Sequence, residues 1–166
     1  MQEKEDLLER KNKLVERFGV FIEHEDKMAP LEARIFSTLL LTGKGGITFE
    51  NLVKDLNASK STICTHLNTL QASGRVSYFT KPGDRKRYFN LTPNRLVQVM
   101  DEMLDNWNKQ YDIHSDIINY KKEANNLIED ETEAYELQFH ENYIQFLEDM
   151  ANAVKKLKKN ISEIKN

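Results

Sequence analysis

Residues 59 to 69 read Ser-Lys-Ser-Thr-Ile-Cys-Thr-His-Leu-Asn-Thr, a run with five hydroxyls, an amide, an imidazole and no carboxylate. Ser59, Lys60, Ser61, Thr62, Thr65, His66 and Thr69 are side chains that can hydrogen-bond a flat polar edge or a phosphate oxygen. An ordinary solvated helix face is more often covered with Glu, Lys and Arg, which favour helix more than Ser, Thr and Asn do. A second cluster follows at Lys81, Arg85, Lys86 and Arg87, around Pro82-Gly83 and interrupted only by Asp84. Cations gathered at a chain reversal can follow a phosphate backbone or enter a narrow minor groove. Asp84 has two readings: it orients a neighbouring arginine, or it starts the turn.

These clusters lie in a chain of 166 residues with 24 basic and 27 acidic side chains, a formal net charge of −3. The charge is uneven. Residues 47 to 95 net +5 and the remainder nets −8, a basic middle between acidic flanks. That layout attracts a polyanion to the centre.

Other chemistries find little support. There is no Gly-x-Ser-x-Gly elbow, and Gly43-Lys44-Gly45-Gly46 lacks the Lys-Ser/Thr ending of a phosphate loop, so an enzyme is not expected. His24, His66, His114 and His140 fall on separate predicted elements without acidic or thiol neighbours at ligand spacing, so neither a metal nor another cofactor is expected. Cys64, the one cysteine, excludes an intramolecular disulfide and reads as a packing residue or as a redox-sensitive thiol. Charges every two or three positions in the first thirty residues leave no apolar signal segment. No later run is apolar enough to span a bilayer, and a cytoplasmic location with no membrane partner is expected.

The elements that must position these groups can be read from periodicity. Leu7, Leu14, Phe18 and Phe21 predict an amphipathic helix over about residues 3–25. A second helix opens at Pro30 and carries Leu31, Ile35, Phe36, Leu39 and Leu40. Thr48 caps a short third helix. After a tight turn at Asn57-Ala58, Ser59 caps a fourth, whose Ile63, Leu67 and Leu70 form one buried stripe. Val76–Thr80 and Arg87–Leu91 read as the strands of a hairpin with a basic tip. Thr92-Pro93 then reads as a cap and first helical position. Beyond it come two long amphipathic helices, one through Leu96, Met100, Met103, Trp107 and Tyr111, the other through Leu147, Met150, Val154, Leu157 and Ile161, with a bend between Glu123 and Glu133. The predicted class is mainly α with a small β-hairpin. It is a winged helix-turn-helix over residues 29–92, preceded by a helix over 1–28 for dimerisation or packing and followed by long helices over 93–166 as the dimerisation and candidate effector region.

Three features together resemble the winged-helix domain of the MarR superfamily and its GbsR branch. They are Pro30 followed by Arg34-Ile35-Phe36, the Ser59-Lys60-Ser61-Thr62 opening of the fourth helix, and the Pro82-Gly83-Asp84-Arg85-Lys86 wing. The resemblance covers Pro30 to about Asn94. It implies a homodimeric transcriptional regulator that binds a two-fold site on double-stranded DNA. Lys60, Lys81, Arg85, Lys86 and Arg87 would then meet phosphates, and Ser61, Thr62, Thr65 and His66 bases, with Ser59 and Thr69 beside them. A winged helix that serves as a protein–protein adaptor without DNA is the alternative. For a small-molecule effector of unknown identity the candidate pocket is Trp107, Tyr111, Phe139 and Tyr143. These rings either cage a quaternary ammonium through cation–π attraction or fill a dimer core.

Overall fold

The computed structural model describes residues 2–164, so the first residue of the N-terminal segment and the last two of the C-terminal one lie outside it. In chain order the elements are α1 (Gln2–Glu25), α2 (Pro30–Leu40), β1 (Ile47–Thr48), α3 (Phe49–Asp55), α4 (Lys60–Ala72), β2 (Val76–Thr80), β3 (Arg87–Leu91), α5 (Arg95–Asn125) and α6 (Gln138–Ile164). A single 3-10 turn, Glu131–Glu133, precedes α6. The chain divides into two compact units, one up to Arg95 and one from Leu96 onward.

The first unit is a winged helix. Its core gathers Ile22 of α1, Ala33, Ile35 and Leu39 of α2, Leu52 of α3, Ile63, Leu67 and Leu70 of α4, and Val76 and Phe89 of the sheet. Ser37 and Thr38 are buried in α2, but their hydroxyls donate to the carbonyls of Ala33 and Arg34 at 2.8 Å, so no polar group is left unpaired. Arg34 bonds Glu16 and Glu23 of α1 and the carbonyl of Pro30. Gly19 makes room for that arginine, since a Cβ there would stand 3.1 Å from its Cδ.

Local chemistry sets the boundaries of the helix pair. Thr48 Oγ1 accepts from the backbone of Asn51, and Asn57, at φ +46°, turns the chain between α3 and α4. Ser59 Oγ accepts from the Thr62 N–H at 3.2 Å and caps α4. At the other end Gly74 (φ +69°) closes the helix: the Arg75 N–H reaches Leu70 O and the Gly74 N–H reaches Gln71 O, a Schellman pairing.

Where a two-stranded hairpin is expected, the sheet has three strands in the order β1-β3-β2, all antiparallel. Two residues are too few to show alternation, which is why β1 cannot be read from the sequence. It forms because Gly46, at φ +68°, brings Ile47 opposite Phe89 and Thr48 opposite Tyr88.

The helix expected to start with Thr92 as cap begins instead at Arg95. Thr92 is held by the sheet, its N–H donating to Arg75 O at 3.0 Å, and Pro93-Asn94 forms a turn with Asn94 at φ +68°.

In the second unit α5 and α6 run antiparallel, as shown by the partners His114 with His140, Gln110 with Tyr143 and Asp101 with Lys158. α5 stops within the expected bend, but α6 starts only at Gln138. No glycine or proline is needed for the stop. The Asn125 amide donates to Tyr135 O at 2.9 Å and accepts from Tyr135 N at 2.8 Å, and Asp130 accepts from both N–H and Oγ1 of Thr132. Those two bonds hold the Asp130 carboxylate below its usual range, the hydroxyl contributing most. Among the described residues no helix is long and apolar enough to cross a membrane.

Candidate nucleic-acid interface

α4 buries Ile63, Leu67 and Leu70 and turns Ser61, Thr62, Cys64, Thr65, Asn68 and Thr69 to solvent. Its hydroxyls are already oriented. Ser59 Oγ lies 3.0 Å from Ser61 Oγ and 2.6 Å from Thr62 Oγ1, while Thr65 Oγ1 donates to Ser61 O and Thr69 Oγ1 to Thr65 O. With their protons spent on the helix backbone, Thr65 and Thr69 present oxygen lone pairs and methyl groups outward. Lys60 is exposed at the first turn, where the free N–H groups of the helix also lie.

His66 differs from its neighbours. It is half-buried, and its Nδ1 lies 3.7 Å from Glu32 Oε2 near the start of α2. The structure therefore turns this imidazole toward the body of the domain.

The wing is built on a four-residue turn, Lys81 to Asp84, closed by the Asp84 N–H on Lys81 O at 3.0 Å. Pro82 at its second position and Gly83 at φ +77° at its third are the type II combination. Asp84 ends this turn instead of starting it and pairs with no arginine among the described residues; its side chain opens an Asx turn with Lys86. Its Oδ1 accepts from the Lys86 N–H at 2.9 Å and its Oδ2 from the Tyr88 hydroxyl at 2.6 Å. These bonds, the Tyr88 hydroxyl foremost, hold the carboxylate below its usual range, and the same carboxylate pushes the Tyr88 phenol up.

The wing cations are not equivalent. Lys81 Nζ sits 3.7 Å from the centre of the Tyr88 ring, and the Arg87 guanidinium 4.6 Å from that of Tyr78, on the opposite face of the hairpin. Arg85 and Lys86 project exposed at the tip.

Between α4 and the wing runs a groove of about 370 Å³, with Phe49, Leu67 and Phe89 among its floor residues, Cys64, Asn68 and Gln71 on one wall and Arg85, Lys86 and Arg87 on the other. Three wing cations and the carboxylate of Glu50 lie along the same groove as Cys64. Gln71 lines this groove and Tyr88 joins the wing through Asp84; both are absent from the predicted set. Tyr88 is signalled in the sequence only by its distance of four residues from Asp84.

In the second unit Trp107 and Tyr111 line a groove of about 350 Å³ with Leu147, Glu148 and Lys155. Phe139 and Tyr143 do not line it. They stack on each other at 6.0 Å and 7°, with His114 4.5 Å from the Tyr143 ring centre. Two of the histidines predicted on separate elements meet here: His114 of α5 and His140 of α6 approach to 2.8 Å between their Nδ1 atoms. Helix hairpin formation brings together residues 26 positions apart. Partial burial, then the charges of Lys121 and His114, hold the His140 imidazole below its ordinary range. Among the described residues no three His, Cys, Asp or Glu side chains converge as metal ligands.

No family model matches the chain, and no curated protein does. A solved structure of a transcriptional regulator matches 93% of this chain and 99% of its own, with a TM-score of 0.52 at 21% identity. Tm0710, a transcriptional regulator from Thermotoga maritima, matches 78% of this chain and 96% of its own, with a TM-score of 0.41 at 20% identity. A MepR mutant from S. aureus matches 76% and 96%, with a TM-score of 0.40 at 15% identity. The first likeness is one of fold, and it agrees with the geometry: this chain is a winged helix with long helices on both sides of it in the sequence.

Proposed function

We propose that the chain is a homodimeric, sequence-specific DNA-binding transcription regulator of the MarR type and its GbsR-like branch, acting as a repressor. The observation that carries this reading is the pairing, within one compact unit, of an uncharged hydroxyl face on α4 with a cationic wing beside it. α4 enters the major groove. There the outward lone pairs of Thr65 and Thr69 suit the amino donors of adenine and cytosine, and their methyl groups suit thymine. Lys60, Arg85 and Lys86 supply the phosphate contacts and Ser61 and Thr62 further polar contacts, while His66 braces the helix from behind.

The dimer is supported by α6. Phe139, Phe146, Met150 and Leu157 are 66%, 52%, 36% and 48% exposed and recur at spacings of seven, four and seven, one apolar seam along the helix. A second copy is the simplest surface to cover such a seam, and two-fold pairing would set two recognition helices about 34 Å apart on one face of the duplex. The groove at Trp107 and Tyr111 is the effector site on this reading.

The test is selection of bound duplexes from a random pool, followed by anisotropy titration of the best one across salt concentrations. Enrichment of a two-fold motif with steeply salt-dependent affinity is expected. A chain that binds no duplex in dilute buffer refutes the reading and favours the adaptor.

A further inference from the structure

We propose that Tyr88 is a positioning residue of this interface: its phenol, bonded to Asp84, fixes the wing tip so that Arg85 and Lys86 become the wing's principal phosphate contacts, while Lys81 and Arg87 brace the hairpin. The proposal rests on the DNA-binding reading.

Three observations support it. First, Tyr88 is anchored on several sides. Its ring stacks on Phe79 at 5.8 Å between centres, Lys81 Nζ lies over it, and its Cβ would stand 3.0 Å from a Cβ built on Gly46, so the strand is pressed against the turn that leads into β1. Second, the phenol projects from this anchored ring to Asp84, four residues away across the tip, and the other Asp84 oxygen takes the Lys86 N–H. One carboxylate thus ties the base of β3 to the backbone that presents Arg85 and Lys86. Third, two of the four wing cations are occupied on rings, Lys81 on Tyr88 and Arg87 on Tyr78. Among the described residues no ring lies beneath Arg85 or Lys86. A guanidinium and an ammonium held at the tip without aromatic partners are the ones free to reach a phosphate, and a preorganised tip loses less freedom on binding.

Electrostatics and positioning make opposite forecasts for Asp84. A carboxylate beside a polyanion repels it, so if Asp84 acts only through its charge, Asp84→Asn tightens DNA binding. If it holds the tip, the same substitution loosens binding.

The experiment uses the full chain and a duplex selected by the wild type. Tyr88→Phe keeps the ring, the stack and the Lys81 contact and removes only the hydroxyl. Both Tyr88→Phe and Asp84→Asn should bind roughly three- to tenfold more weakly, the scale of one hydrogen bond, with the dependence on salt unchanged because no phosphate contact of fixed charge is removed. Absorbance titration of the phenols should show the step raised by Asp84 lost in Tyr88→Phe and moved to lower pH in Asp84→Asn, a signature that a general loss of stability would not produce. Wild-type affinity in Tyr88→Phe, tighter binding by Asp84→Asn, or a shallower salt dependence in Tyr88→Phe each overturns the proposal while leaving the DNA reading intact. A wild-type chain that binds no duplex overturns both.

Discussion

Replacing Arg85 and Lys86 together by alanine is the most quantitative challenge to the wing's role. Both side chains are exposed at the tip, so their loss leaves the core untouched and stability should change by less than about 0.5 kcal/mol. If each contacts one phosphate, a dimer with two wings loses about four contacts, and the slope of log K against log salt becomes shallower by about 3.6. Taking the two lines to meet near about 1 M salt, that slope corresponds to roughly a thousandfold weaker binding at about 0.15 M salt and only about tenfold at about 0.5 M. Fluorescence anisotropy of a labelled duplex across this range measures both quantities in one series. A fold-loss that stays constant with salt would show that these cations do not release counterions, and the wing would drop out of the mechanism.

Three further outcomes are expected. Leu67→Ala, at a site 2% exposed, should cost about 2–5 kcal/mol in urea denaturation, whereas Thr65→Ala should leave stability within about 0.5 kcal/mol but broaden the selected motif; an unaltered motif removes Thr65 from base reading. Phe146→Glu with Met150→Glu should yield a monomer in analytical ultracentrifugation and weaken DNA binding, and a persistent dimer would exclude the α6 seam as the contact. His140, held below the ordinary histidine range in the folded chain, takes up its proton only at lower pH than it does when unfolded, where the value is about 6.5. Between these two values the unfolded state binds more protons, so stability is lost as pH falls. The melting temperature should therefore drop more from about pH 7.5 to about 5.5 in the wild type than in His140→Gln, and equal drops would refute the assignment.

Much of the first unit is legible in sequence because its signals are local. Pro30, Thr48, Ser59 and Gly74 act on groups within a few residues, and the stripe Ile63, Leu67 and Leu70 follows from helical period alone. The hairpin and its type II turn are equally local, since Pro82 and Gly83 preset the two backbone angles that the turn requires.

Contacts between distant segments decided the rest. β1 exists because Phe89 and Tyr88 arrive from about forty positions later, and no two-residue segment announces a partner so far away. The expected start of α5 failed for the same reason, since Thr92 is claimed by Arg75, just before the neighbouring strand β2. His66 shares a run with outward-facing residues yet turns to Glu32, and the ranking of the wing cations depends on which rings lie beneath them. Residue type and spacing determined which groups this protein has and which helix face or turn would hold them, because backbone propensity and periodicity act over a few residues. Which of those groups remain free to meet a ligand was decided by tertiary packing, because a hydrogen bond or ring contact depends on distance in space and is blind to separation along the chain.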